Sequence, residues 1–210
     1  LEVSSVGRSL GTDISRVLMQ RHPELAETEI TGMGAIVSAA CLAHDMGNPP
    51  FGHSGERAIR TYFSEGKGSA LHEHVTPDGH LLTEEEWLDM TRFDGNANTF
   101  RLLTHHFNGR RRGGFVMTYA TLASIVKYPY GSERAVAKPK FGFFESERRT
   151  YLDIASELGL RCLENKDGSV LYARHPLVYL VEAADDICYE IMDIEDAHKL
   201  KILTTQETQQ

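Results

Sequence analysis

The sequence has 210 residues, of which 41% are hydrophobic and 25% are charged, and its formal net charge at pH 7 is -8. These values are typical of a globular protein with a real hydrophobic core, and they exclude a fibrous or wholly disordered chain. A net acidic chain repels polyanions, so general nucleic-acid binding is not its default function. No run of about 18 apolar residues is present to predict a transmembrane span, and no membrane partner is expected.

Helical periodicity dominates the chain from its first residues onward. Apolar residues recur every three to four positions over 6–20, and residues 32–44 are small and apolar nearly all round, which is typical of a buried helix. Further helices are predicted at 56–63, 83–90, 96–106, 118–127 and 145–158, and a long one opens at Pro176. The best strand candidate is 168–172. The fold predicted is all-α, a compact helical bundle with a minor β-hairpin at most.

The chain starts without Met, inside a helical pattern, so we expect it to be part of a longer protein. Its three cysteines, Cys41, Cys162 and Cys188, are widely spaced and odd in number. Cys41 and Cys188 fall in apolar helical runs. Buried thiols in a reducing compartment fit this pattern better than disulfides, and they predict a cytoplasmic protein.

The run from His44 to Glu56 (HDMGNPPFGHSGE) carries the strongest chemical signal. An ionised Asp45 at the end of an apolar helix costs several kcal/mol unless it is compensated, and a divalent metal compensates it directly. His44 and Asp45 together offer N and O ligands suited to Mg, Mn or another transition metal. The alternative interpretation is that this pair only caps the C-terminal end of the helix.

His53 and Glu56 follow the rigid Gly-Asn-Pro-Pro turn and are three residues apart, so their side chains can meet on one helix. A carboxylate partner orients a histidine and raises its basicity, as a general acid or base requires. This spacing predicts that His53 and Glu56 act as a pair.

Acidic residues also occupy the long C-terminal helix. Asp185, Tyr189 and Asp193 are spaced i, i+4, i+8, which places them on one stripe that we expect to face inward between apolar neighbours. Asp185 would then be a third metal ligand, while Tyr189 and Asp193 could bind a substrate. A solvated acidic face is the alternative.

Five motifs in order are similar to the dGTPase branch of the HD-domain phosphohydrolase superfamily, and the resemblance covers nearly the whole chain. They are HDMGNPPFGHSGE (44–56), FDGNANTFRLLT (93–104), Met117 to Leu122 with Lys127-Tyr128-Pro129, KFGFFESE (140–147) and EAADDICYEIMDIEDA (182–197). The resemblance implies that residues 1–210 are an HD-type catalytic core lacking N-terminal and C-terminal parts of the full protein.

The resemblance also implies a metal site of two His and two Asp. His44, Asp45 and Asp185 match three of these ligands, with Asp186 as the adjacent alternative to Asp185, and the remaining His would lie upstream of residue 1. His53 matches the catalytic histidine and Glu56 its carboxylate partner.

Five residues match substrate contacts of the family. Asn96 matches a substrate-site Asn, Lys127 and Tyr128 match contacts to the triphosphate, and Tyr189 and Asp193 match the pair that contacts the sugar. The activity implied is metal-dependent hydrolysis of a deoxynucleoside triphosphate, dGTP first, to deoxynucleoside and tripolyphosphate. The family commonly forms homo-oligomers, often hexamers.

Two other functions stay open at this point: an HD phosphohydrolase acting on another nucleotide, and a non-catalytic regulatory module that binds a nucleotide.

Two smaller features of the sequence are less specific. His72, His74 and His80 could hold a second metal, although a solvated loop is the favoured interpretation. Residues 110–112 are three arginines in a loop that could bind substrate phosphates, an effector nucleotide or single-stranded DNA.

Overall fold

A computed structural model describes residues 1–77, 79–109 and 114–208, with Ala26 described by its backbone alone. The chain is mostly α-helical with two small antiparallel β-hairpins, which confirms the predicted fold class. The α-helices of the described residues are α1 (Glu2–Arg21), α2 (Met33–Ala43), α3 (His53–Ser64), α4 (Glu84–Thr91), α5 (Gly95–Thr104), α6 (Tyr119–Ile125), α7 (Glu145–Glu157), α8 (Val178–Lys199) and α9 (Thr205–Thr208). The strands are β1 (Val75–Thr76), β2 (Gly79–His80), β3 (Cys162–Lys166) and β4 (Ser169–Tyr172).

The chain divides into two compact units, residues 1–42 with those from 179 onward, and residues 43–178. In the first unit, α1 and α2 approach closely because small residues meet between them. A Cβ on Gly11 would lie 2.8 Å from the Gly34 Cα, and the Ser4 hydroxyl lies 2.9 Å from the Ser38 carbonyl oxygen. The small, apolar composition of α2 therefore serves this close crossing.

The second unit has an aromatic core. Phe100, Phe141, Phe143 and Tyr151 are fully buried, and the rings of Phe143 and Tyr151 stack with centroids 4.5 Å apart. These residues come from α5, α7 and the segment before α7, so the core fixes α5 against the chain that follows α6.

The predicted helices are present with small shifts at their ends. The capping box at Thr83 and Glu86 forms as expected, and α8 begins at Val178 rather than at Pro176. The hairpins differ more, since β3 precedes the predicted strand and β1 with β2 fall in a stretch expected to be loop. Among the helices of the described residues, none is long and apolar enough to cross a membrane.

Candidate active site

The turn after α2 is held against the first turn of α5. The Gly47 N–H donates to the Thr99 hydroxyl at 2.9 Å, and the Asn98 amide donates to the Gly47 carbonyl at 2.8 Å. A Cβ on Gly47 would lie 2.1 Å from the Thr99 nitrogen, so only glycine fits here. This contact positions the segment that carries His44 and Asp45.

The exit from the turn sets the direction of α3. Phe51 and Gly52 both have positive φ, 66° and 52°, and α3 begins at the next residue. Phe51 is 90% exposed, so packing of its side chain does not hold this residue in the positive-φ conformation. It serves to bring His53 and Glu56 onto the first turn of α3.

His53 and Glu56 form the predicted pair. The His53 Nδ1 lies 3.2 Å from the Glu56 Oε2, with the His53 side chain 81% exposed and the Glu56 side chain 4% exposed. Glu56 also accepts the Gly95 N–H at 2.8 Å. A fixed, buried carboxylate therefore holds one edge of an imidazole whose other edge reaches solvent.

The charge state of Glu56 follows from its partners. Burial alone would raise its pKa, but the Gly95 N–H, the nearby Lys140 ammonium and the His53 ring outweigh burial and leave the pKa below its usual value. Glu56 is consequently a carboxylate at neutral pH, and it can accept a hydrogen bond from the facing ring nitrogen of His53.

Two residues that sequence reasoning did not assign complete this network. The Lys140 Nζ lies 3.2 Å from the Asp94 Oδ1 and 3.5 Å from the Glu56 Oε2, and Asp94 is fully buried. Asp94 also accepts the backbone N–H of Phe141 at 3.0 Å and the side-chain amide of Asn96 at 2.9 Å. Asn96 is thereby brought into the same network as His53. The N-cap position of Asp94 before α5 could have been found in the sequence, whereas the bridge through Lys140 could not.

His44 and Asp45 offer a donor pair for a metal. The His44 Nε2 and the Asp45 Oδ2 lie 3.6 Å apart, with the His44 side chain mostly buried and the Asp45 side chain 61% exposed. Metal bonds of roughly 2 Å to each donor place two such atoms about 3–4 Å apart, so the pair fits one divalent ion. Within each unit of the described chain, no three His, Cys, Asp or Glu side chains form a group able to hold a metal. Asp185 belongs to the first unit and stays a predicted ligand.

Lys127 and Tyr128 lie just after the C-terminal end of α6. The Lys127 Nζ lies 6.0 Å from the centroid of the Tyr128 ring, and both side chains are partly exposed. A cation held beside an aromatic ring on a partly exposed segment is suited to an anionic ligand.

The acidic stripe of α8 lies in the first unit. Asp185 is half-buried, but Tyr189 is 62% exposed and Asp193 is exposed. Burial along α8 ends at Cys188, and within the buried part the Ala184 Cβ lies 3.6 Å from the position that a Cβ on Gly7 of α1 would take. The expectation that the stripe faces inward therefore holds only for its first turn.

The sequence also offered His72 and the arginines 110–112 as candidate binding residues. The His72 Nε2 lies 2.9 Å from the Glu84 Oε1, and the His72 ring stacks on Trp87 at 4.5 Å, which is a structural role. The arginines 110–112 lie outside the described residues.

Several known proteins are similar to this chain over nearly its whole length. No family model matches the sequence. A deoxyguanosinetriphosphate triphosphohydrolase-like protein of Pseudomonas aeruginosa is 42% identical over 217 residues, covering 100% of this chain and 45% of that protein. One of Synechocystis sp. is also 42% identical, over 97% of this chain and 46% of that protein. A deoxyguanosinetriphosphate triphosphohydrolase of Klebsiella pneumoniae is 31% identical, over 100% and 44%.

The chain thus spans a little under half the length of the curated relatives that it matches. The match extends over all or nearly all of its residues and includes the segments that form the His53 network. This similarity confirms the resemblance predicted from the sequence: over its full length, the chain is similar to a part of the deoxyguanosinetriphosphate triphosphohydrolase-like proteins.

Proposed function

We propose that the full-length protein hydrolyses a deoxynucleoside triphosphate, dGTP first, to the deoxynucleoside and tripolyphosphate in a metal-dependent reaction. Water attacks the α-phosphorus, the bond from that phosphorus to the 5'-oxygen breaks, and the leaving oxygen takes up a proton. The names of the relatives support the substrate class. The reaction therefore needs a proton donor placed at the nucleoside side of the α-phosphate.

The observation that carries the proposal is the pairing of His53 with the buried Glu56. Glu56 orients the ring through Nδ1, so the exposed Nε2 edge is the one that can meet a substrate. His53 then donates its Nε2 proton to the 5'-oxygen as the bond breaks. Glu56 stabilises the protonated ring before transfer, because the lowered pKa of the carboxyl keeps it charged.

His44 and Asp45 would hold a divalent metal, with Asp185 and an upstream His as the further predicted ligands. Such an ion neutralises phosphate charge and activates or positions the attacking water. The donor types fit Mg, Mn or another transition metal.

The remaining predicted residues supply substrate contacts. Asn96, held by Asp94 beside the His53 network, would donate to the substrate, and Lys127 with Tyr128 would bind the triphosphate. Tyr189 and Asp193 would contact the deoxyribose, with Asp193 accepting from the 3'-hydroxyl. Homo-oligomers, a hexamer among them, an effector nucleotide or single-stranded DNA, and a cytoplasmic location stay predictions.

The test is to incubate the full-length protein with dGTP and Mn²⁺ or Mg²⁺ and to follow products by ³¹P NMR. We expect tripolyphosphate and deoxyguanosine. Orthophosphate or pyrophosphate would contradict the reaction, and turnover of other nucleotides in preference to dNTPs would favour the alternative of a different nucleotide phosphohydrolase. Tight binding of dGTP without any product would favour the regulatory module.

A second measurement tests the metal ligands. Asp45→Ala should abolish stoichiometric metal binding measured by elemental analysis after gel filtration. Full metal content in that variant would remove Asp45 from the ligand set.

A further inference from the structure

The end of β4 and the segment after it are fixed in two places to α6 and the residues that follow α6. The Tyr172 N–H donates to the Pro129 carbonyl at 3.1 Å, and the His175 Nδ1 lies 3.4 Å from the Ser124 hydroxyl oxygen. Burial lowers the pKa of His175, so its ring is neutral at pH 7, and its Nδ1 lies 3.3 Å from the Leu177 N–H that donates to it. A short, well-anchored segment of the second unit thus runs beside the residues that follow α6.

Arg174 lies between these two attachments. Its guanidinium carbon lies 5.9 Å from the centroid of the Tyr128 ring, and the Lys127 Nζ lies 6.0 Å from the same centroid. Two cations therefore lie beside the same half-exposed aromatic ring. Because both cations lie beside the same ring, one polyphosphate chain bound there can contact both.

The electrostatics of Tyr130 link Arg174 to the His53 network. Burial is the main cause that raises the pKa of Tyr130, the neighbouring Tyr128 and Asp94 raise it further, and the charge of Arg174 lowers it. Asp94 and Arg174 therefore act on the same tyrosine from within the second unit. The geometry agrees, because the Tyr128 and Tyr130 rings lie 6.2 Å apart and the Gly142 N–H donates to the Tyr130 carbonyl at 3.0 Å, directly after Phe141, whose N–H donates to Asp94.

We propose that Arg174 binds the polyphosphate part of the substrate together with Lys127, with Tyr128 as the platform that holds the two cations. The proposal rests on the proposed function, because that function supplies the polyphosphate. A guanidinium can bind two phosphate oxygens at once in a fixed plane, whereas Lys127 supplies a mobile point charge. Arg174 would therefore fix the orientation of the chain of phosphates that leaves as tripolyphosphate.

The experiment compares the full-length wild type with Arg174→Ala, Arg174→Gln and Arg174→Lys. Arg149→Ala is the matched control, because Arg149 is 86% exposed on α7 and pairs only with Asp153 in the contacts described for it. For each protein, kcat and KM are measured with dGTP, and the inhibition constant is measured for inorganic tripolyphosphate.

We expect Arg174→Ala and Arg174→Gln to raise both KM and the inhibition constant about tenfold or more, with kcat little changed, since a charge-assisted contact to phosphate is lost. Arg174→Lys should recover part of the loss, and Arg149→Ala should behave as wild type. An unchanged inhibition constant in Arg174→Gln, or a loss confined to kcat, would overturn the proposal.

The two proposals fail in different ways. Tripolyphosphate binding can be measured by calorimetry without turnover. If the wild type binds tripolyphosphate, Arg174→Gln binds it weakly and no protein hydrolyses a dNTP, the reaction assignment fails while Arg174 stands as an anion-binding residue. If the wild type hydrolyses dGTP and Arg174→Gln is indistinguishable from it, the reaction stands and the Arg174 proposal fails.

Discussion

Acidic side chains in the two units of this chain have opposite environments. In residues 43–178, Glu56 and Asp94 are buried, and each is compensated by backbone N–H groups and by the shared Lys140. On α8 in the other unit, Asp186 and Asp193 are exposed. In the sequence, both regions have acidic residues beside apolar ones. The difference shows that long-range donors, not the local pattern, decide whether an acid is buried and fixed.

The largest stability effect is expected for Asp94→Ala. This change removes the acceptor for two backbone N–H groups and leaves Lys140 beside one carboxylate instead of two. Breaking a buried ion pair from one side costs about 3–5 kcal/mol. Urea denaturation of this variant should show a loss of that size, and a loss below about 1 kcal/mol would mean that the network does not stabilise the unit.

Glu56→Gln tests whether the same network orients the proposed catalytic histidine. Glutamine keeps an oxygen for the Gly95 N–H but removes the charge that faces His53. We expect kcat to fall about 100-fold, in the range that general acid-base catalysis contributes. Glu65→Gln, at an exposed carboxylate just after α3, is the control and should keep full activity. Equal rates in the two variants would exclude an orienting role for Glu56.

Asp89 is another buried acid of the second unit, but its negative charge is not fully compensated by its neighbours. Burial is the main cause that raises the pKa of Asp89 to about 7, and the nearby Glu145 and Glu133 raise it too. Hydrogen bonds from Ser132 and from the Glu145 N–H lower it, but they do not outweigh burial. A carboxyl whose folded pKa lies above its unfolded value is favoured while protonated, so its destabilising effect grows as pH rises from about 4 to about 7. Glu56, with a lowered pKa, has the opposite sign.

Asp89→Asn should therefore remove a pH dependence. Between pH 5 and pH 8, we expect the wild type to lose roughly 2 kcal/mol of unfolding free energy relative to the variant, which keeps an acceptor for the Glu145 N–H. The measurement is chemical denaturation of both proteins at the two pH values. Parallel pH profiles would show that Asp89 does not titrate in this range.

The smallest stability effect is expected on α8. Asp193→Ala removes an exposed carboxylate and should change the unfolding free energy by no more than about 0.5 kcal/mol. Its effect should instead be a raised KM for a deoxynucleoside triphosphate, with the inhibition constant of tripolyphosphate unchanged. A large loss of stability would show that Asp193 belongs to a packed surface and would remove the contrast with Asp94.

The sequence predicted the helices well, because each has its own periodicity and some have local caps such as Thr83 with Glu86. It missed β3, whose five residues are all exposed and show no alternation. Asp167 and Gly168, between β3 and β4, are residue types that favour a turn, and both have the positive φ of a tight hairpin.

In the candidate site, sequence spacing was sufficient for His53 with Glu56, which are one turn apart on one helix. It was insufficient for the partners of Glu56. Gly95 and Lys140 lie 39 and 84 residues further along the chain. Such contacts depend on how α5 and the segment before α7 pack, and no local periodicity encodes that packing.

In the proposed reaction, His53, oriented by Glu56, protonates the 5'-oxygen that leaves. The most direct measurement compares the wild type and His53→Ala on dGTP and on its analogue with sulfur in place of the bridging 5'-oxygen, since a thiolate leaves without needing a proton. We expect the variant to lose about 100-fold or more in kcat with dGTP and much less with the sulfur analogue. An equal loss with both substrates would contradict it.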